Sequence, residues 1–153
     1  MILKNPKKIH ITPIQEGTAI DHLKPGTALK ILGVLNLQDA PVTAAMNVES
    51  RKMVRKDIIF IDGRKLGEKE LNKVALIGKG GTLNEIKNEK IVVKKELAYP
   101  DRVEGIIKCI NPKCITNTET ISTKFSIFPE PLSATCYYCQ TRMKGNEIAN
   151  SII

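Results

Sequence analysis

Tryptophan is absent from this 153-residue chain, and aromatic residues make up only 4% of it. A surface that binds single strands by stacking bases on rings has little to work with. Histidine occurs only at His10 and His22, both far in sequence from any cysteine. The open, histidine-rich metal site of a hydrolase is therefore not expected. No apolar stretch approaches the roughly 20 residues that span a bilayer. The N-terminus, MILKNPKKIH, is basic but has no long apolar run, so it does not read as a signal peptide. A soluble chain in a reducing cytoplasm is the expectation. Catalytic signatures are missing too: there is no nucleophile elbow, no H-E-x-x-H and no dinucleotide fingerprint. Gly78–Lys79–Gly80–Gly81–Thr82 invites comparison with a phosphate-binding loop. It lacks the leading glycine and the G-K-[ST] ending, so a turn is the better reading. With no paired acid–base or nucleophile constellation, the chain is not expected to be an enzyme.

Cysteine is absent from the first 108 residues and then appears four times, at Cys109, Cys114, Cys136 and Cys139. The pattern is C-x4-C, an intervening 21 residues, then C-x2-C. Two short loops that each present two thiolates can meet around one tetrahedral ion, and zinc accepts four sulfurs without redox chemistry. The alternatives are two disulfides or four unrelated thiols, and disulfide frameworks belong mainly to secreted chains. A four-thiolate site leaves no position for water, so one structural zinc per chain is expected.

The formal charge is +8 and uneven. Residues 1–98 carry 18 Lys and Arg against 11 Asp and Glu, whereas residues 99–153 carry 6 against 5. The basic part is the better host for an anionic partner, although a lysine-rich solvated surface explains the same numbers.

Hydrophobic periodicity organises the first part. Residues 8–14 alternate as a strand that ends at Pro13 or lies at a sheet edge, and residues 17–26 read as a loop with Asp21 as a possible helix cap. A helix is expected over 25–36, with Ala28, Ile31, Leu32 and Leu35 buried. Strands are expected at 42–48, with Val42, Ala44, Met46 and Val48 on one face, and at 55–61. A second helix covers 67–77 with Leu71, Val74 and Ala75 inward, and Gly78 is placed to take a left-handed exit. Residues 82–87 and 90–96 form a hairpin around Asn88–Glu89. This order predicts an α+β fold, a ferredoxin-like antiparallel sheet with two helices on one face. Residues 97–103 read as a linker around Pro100. A small C-terminal all-β, zinc-ribbon-like domain follows, with strands near 104–109, 119–127 and 132–136. Its core is thin, so the metal would supply much of its folding free energy. The division falls at 1–98 and 99–153.

Within the basic part, Asp21–His22 could meet ribose and phosphate or be a plain cap with an exposed imidazole. Lys94 and Lys95 could bind an anion or be merely solvated.

Taken together, G-T-A-I-D-H at 17–22, R-K-D-I-I at 55–59, L-N-E-I at 83–86, the Pro100–Val103 approach and the C-I-N-P-K-C…C-Y-Y-C pattern resemble the regulatory chains of aspartate carbamoyltransferase over nearly the whole length. The resemblance implies an N-terminal allosteric domain for nucleotide effectors such as CTP and ATP, and a zinc domain that docks on the catalytic chain. It implies regulatory dimers, three of which bridge two catalytic trimers in pyrimidine synthesis. It implies no membrane partner. By that likeness phosphates meet His22 and Lys94, Lys56 sits near them, and Asp21 lies beside the ribose and phosphates. Ile11, Pro13, Ile14, Ala19, Asn84, Ile86 and Ile91 line the base and sugar pocket. Phe60 stands where the enteric pattern has a lysine, and Glu89 replaces an aromatic, so the choice between CTP and ATP is open. The rival reading is a nucleic-acid-binding zinc ribbon; against it, the positive charge lies away from the cysteines. Among the remaining aromatics, Phe125 and Phe128 are expected in the zinc domain's core, and Tyr137 and Tyr138 at an exposed contact.

Overall fold

The structure, a computed structural model, describes residues 13–153. Ile11 and most of the strand expected at 8–14 lie outside the described residues.

The first unit runs β1 (Gly17–Leu23), α1 (Thr27–Val34), β2 (Val42–Glu49), β3 (Arg55–Asp62), α2 (Glu68–Gly78), β4 (Thr82–Lys87) and β5 (Lys90–Glu96). The strands form one antiparallel sheet in the order β2-β3-β1-β4-β5. The first four reproduce the ferredoxin-like arrangement, and β5 extends it as an outer edge. The stretch 17–26, expected as a loop, instead supplies the central strand. Its sequence is short and interrupted by charge, but Ala19 and Ile20 are buried between β3 and β4, and burial in a sheet centre overrides weak local preference. Gly17 opens this strand at φ 144°, where a Cβ would run into the Ile61 carbonyl. Only glycine tolerates that approach.

Both helices cover one face of the sheet. Their core joins Ile20, Leu23, Ile59, Ile61 and Leu83 from the strands to Ala28, Ile31 and Val74 from the helices. Asp21 is not the cap of α1. The N-cap is Gly26, which has no side-chain bond to give. A carboxylate from β3 replaces it: Asp57 Oδ2 accepts the Gly26 and Ala28 N–H groups at 2.9 and 3.0 Å. Gly78 does not make the left-handed exit. It belongs to α2, where a Cβ would lie 2.9 Å from Leu23 Cδ2, so its lack of a side chain lets the helix sit close on β1. Gly80, at φ 88°, makes the turn. Nor do Val42, Ala44, Met46 and Val48 share a face. Asn47 adopts φ 56° in a bulge between Ala45 and Val48, which turns Val48 to the side opposite Val42 and Ala44. The hairpin forms at 82–87 and 90–96 as expected, with Asn88 and Glu89 at φ 51° and 64°, the paired left-handed turn that matches strand twist.

The second unit contains β6 (Arg102–Glu104), α3 (Ile115–Thr118), β7 (Lys124–Pro129), β8 (Leu132–Cys136), β9 (Arg142–Lys144) and α4 (Gly145–Asn150). Its sheet runs in the order β6-β7-β8-β9. The expected strand at 104–109 is the shorter β6; residues 106–109 turn inward as core and first cysteine. The strand expected at 119–127 begins later, at Lys124, while β9 and α4 were not anticipated. Three-residue strands and six-residue helices are too short to show a period. The core gathers Val103, Ile106, Ile107, Phe125, Ile127, Ala134, Met143 and Ile148 around the buried cysteines. Phe125 is buried as expected, whereas Phe128 is exposed, as are Tyr137 and Tyr138.

The segment 97–103 is not a loose connector. Leu97 is buried in the first core, and Tyr99 packs on the second. Leu76 of α2 crosses the seam: it is buried with Ile106, Ile107 and Ile148 rather than with its own sheet. Lys79, just past α2, lies 4.8 Å from the Tyr99 ring centroid and 3.4 Å from a Glu130 carboxylate oxygen.

Candidate metal centre and effector face

The four cysteine sulfurs all lie within 4.8 Å of one another. Cys109 and Cys139 Sγ are 3.6 Å apart, and Cys114 and Cys136 Sγ 3.7 Å. Four sulfurs about 2.3 Å from a tetrahedral zinc ion would be about 3.8 Å from each other. The donor set and its spacing therefore suit that ion. Each loop is built to present its pair. In the first, the Asn117 amide donates to the Cys109 and Asn111 carbonyls, both at 2.8 Å, and the Cys114 N–H closes on the Asn111 carbonyl. In the second, Gln140 takes φ 62°, its N–H donates to the Cys136 carbonyl, and the Cys136 N–H donates to the Thr141 carbonyl.

Burial pushes the Cys109 thiol up to about 12 and also raises Cys136. Burial acts the same way on half-exposed Cys139, but hydrogen bonds from the Thr141 side chain and backbone, with Asn111 and Cys109, outweigh it and hold this thiol at about 6. Buried thiols that resist ionising together need a cation among them to become thiolates. Two ligand partners went unnoticed in the sequence. Thr116 Oγ1 lies 3.2 Å from Cys114 Sγ, and Thr141 Oγ1 lies 3.1 Å from Cys139 Sγ. The signal was present: a threonine follows the second cysteine of each pair by two positions.

The other assembly of polar side chains is on the face of the first sheet that the helices leave open. Cross-strand pairing aligns Thr43, Phe60, Ala19, Asn84 and Lys94 in one row across all five strands, and paired residues share a face. One step along β1, Asp21 pairs with Thr82; one step the other way, Gly17 pairs with Ile86, which pairs with Ile91. The face thus spans about 13 Å along the strands from Asp21 to Gly17. At one end, Lys56 Nζ lies 2.8 Å from Asp21 Oδ1. His22 occupies the β1 bulge at φ 55°, a conformation that costs a non-glycine residue about 1–2 kcal/mol. Its Nδ1 is 3.2 Å from Thr82 Oγ1, and its N–H donates to Asp21 Oδ1 at 2.6 Å. In the middle, Asn84 is 8% exposed, and its Oδ1 has no hydrogen-bond partner. Lys94 is exposed and forms no ion pair among the described residues. At the far end are Ile86 and the exposed Ile91, with Ile14 Cδ1 close to Gly17.

The structure therefore brings Ala19, Asp21, His22, Lys56, Phe60, Asn84, Ile86, Ile91 and Lys94 to one sheet face, and Cys109, Cys114, Cys136 and Cys139 to one point. Asp57 and Thr82 were missed; nothing in a single sequence marks a β3 carboxylate as the partner of a helix start 29 residues earlier. Among the described residues, no helix is long and apolar enough to cross a membrane.

Residues 9–98 match the family described as the allosteric domain of the aspartate carbamoyltransferase regulatory chain, and residues 101–149 match that chain's metal binding domain. Curated relatives carrying the name aspartate carbamoyltransferase regulatory chain include one from Thermococcus sibiricus, 42% identical over 149 residues, covering 96% of this chain and 99% of the relative. The Pyrococcus abyssi relative is 43% identical over 146 residues, 92% of this chain and 96% of its own. The Methanococcus maripaludis relative is 42% identical, covering 96% of this chain and 97% of its own.

Proposed function

Because this chain belongs to the family of aspartate carbamoyltransferase regulatory chains, we propose that the helix-free face of its first sheet binds nucleoside triphosphates and that its four cysteines hold one structural zinc ion. Residues 1–98 act as the effector domain, and residues 99–153 dock on the catalytic chain. The observation that carries the nucleotide reading is the row through Asn84 and Lys94 beside the Asp21–His22–Lys56 cluster. A polyphosphate needs converging cationic donors, and a buried acceptor without a partner is costly until something donates to it. His22, Lys56 and Lys94 would hold the phosphates, and Asp21 would lie beside the ribose and phosphates. Ala19, Ile86, Ile91, Pro13 and Ile14, with Ile11, would enclose the sugar and base. Phe60 brings a flat apolar surface to the row and no donor, so the base meets a ring there instead of a charge.

The zinc ion would close the second unit by joining its two loops. Ile110, Ile115, Tyr137 and Tyr138, all next to or between the cysteines in sequence, are exposed. This apolar rim supports docking through the metal-bearing end. Regulatory dimers bridging two catalytic trimers follow as the proposed assembly. Effector binding would shift the balance between two quaternary states by the difference in its affinity for them. Titration of CTP and ATP into the zinc-loaded chain, followed by assembly with the catalytic chain, tests this. Saturable nucleotide binding and zinc-dependent assembly are expected; if neither nucleotide binds, the effector face is refuted.

A further inference from the structure

The carboxylate of Asp57 lies on the helix-covered side of the first sheet, away from the open face, and accepts three backbone hydrogen bonds. It is fully buried. Its Oδ2 accepts the Gly26 and Ala28 N–H groups at 2.9 and 3.0 Å, and its Oδ1 accepts the Asn47 N–H at 2.8 Å. Those three donors come from the start of α1 and from the bulge of β2. Both strands next to β3 are irregular at this level. The β1 register slips between Ile20 and Leu23, with Leu23 pairing with Asp57, and the β2 register slips between Ala45 and Val48. His22 sits in the first bulge and Asn47 in the second, each at positive φ. His22 is therefore held on one side by the Ile20–Ile59 pair and on the other by the Leu23–Asp57 pair and the α1 start that Asp57 pins. Lys56, the residue before Asp57, points to the opposite face and reaches Asp21.

Resting on the reading of the open face as a nucleotide site, we propose that Asp57 is a positioning residue for its phosphate end. It fixes the two left-handed bulges and the α1 start so that His22 and Lys56 are presented together, and it ties that end of the site to the β2 edge. A carboxylate has lone pairs enough on two oxygens for three N–H donors. An amide in its place turns one donor-facing oxygen into an NH2 group and leaves at least one buried N–H unpaired or opposed.

The test uses the zinc-loaded full chain, with ATP and CTP against adenosine and cytidine. Asp57→Asn should weaken triphosphate binding by about tenfold while leaving nucleoside affinity and zinc content unchanged. Ile31→Ala, which destabilises the same core away from the bulges, should leave the triphosphate-to-nucleoside ratio as it is. Independently of any variant, ATP should slow hydrogen exchange at the Gly26, Ala28 and Asn47 amides of the native chain more than adenosine does. If a folded Asp57→Asn chain keeps the native ratio, or if those three amides exchange alike with ATP and adenosine, the positioning role is overturned. Should the native chain bind neither triphosphate, it is the effector-face reading that fails.

Discussion

Replacing Leu76 by Ala tests whether α2 physically joins the two units. Leu76 is 5% exposed and belongs to the core of the second unit although its helix packs on the first sheet. The substitution removes three carbons from burial, worth about 2.4 kcal/mol at roughly 0.8 kcal/mol each. If about 40 Å³ stays open against Ile106, Ile107 and Ile148, the cavity adds about 1 kcal/mol. The expected loss is about 3 kcal/mol, a large part of the stability of a small domain. Urea titration is a selective assay here, because all three tyrosines lie between residues 99 and 138 and there is no tryptophan. Tyrosine fluorescence therefore reports the second unit. With a slope near 2 kcal/mol per M, its midpoint should fall by about 1.5 M. Zinc content and nucleotide affinity should not change, while the response of the assembled enzyme to nucleotides should shrink. A midpoint shift below about 0.3 M, or a full nucleotide response in the variant, would show that Leu76 does not couple the units.

Cys114→Ser should release zinc and abolish association with the catalytic chain while nucleotide binding persists, checked by metal analysis and size-exclusion chromatography; intact assembly would count against the zinc domain as the docking piece. Lys94→Ala should weaken triphosphate binding by about tenfold with zinc retained, and equal affinity in calorimetry would remove Lys94 from the site. Phe60→Lys should change the ratio of CTP to ATP affinity, and an unaltered ratio would mean that this position does not discriminate.

The sequence was most legible where a short-range rule acts alone. The Asn88–Glu89 hairpin, the helix stripe of Ala28 and Ile31, and the short loop within each cysteine pair rest on contacts within a few residues, and each formed as expected; the paired C-x4-C and C-x2-C spacing also foretold that the two loops meet. It misled where a distant partner decides. Gly17–Leu23 looked like a loop because its strand character comes from β3 and β4 on either side, not from its own residues. Asp21 looked like a cap because a carboxylate precedes a helix; the bond to that helix comes from Asp57, across the sheet. Met46 and Val48 looked alike until the Asn47 bulge reversed one of them. Leu76 carried no sign that it faces the other unit, since a helical stripe predicts burial but not the neighbour.

The outer strand β5 has a further consequence. Every one of its residues is exposed, and Ile91, Val92 and Val93 sit together at 55%, 52% and 41% exposure between Lys90 and the Lys94–Lys95 pair. An apolar β-branched triplet on a border that no further strand covers among the described residues is a template for fibril growth, and flanking lysines are the gatekeepers that oppose it. On the proposed function, Lys94 would thus serve two selective pressures at once. A lineage that drifted from lysine at this place would forfeit colloidal stability together with its grip on a polyanion, so even a variant indifferent to effectors would have reason to keep the charge.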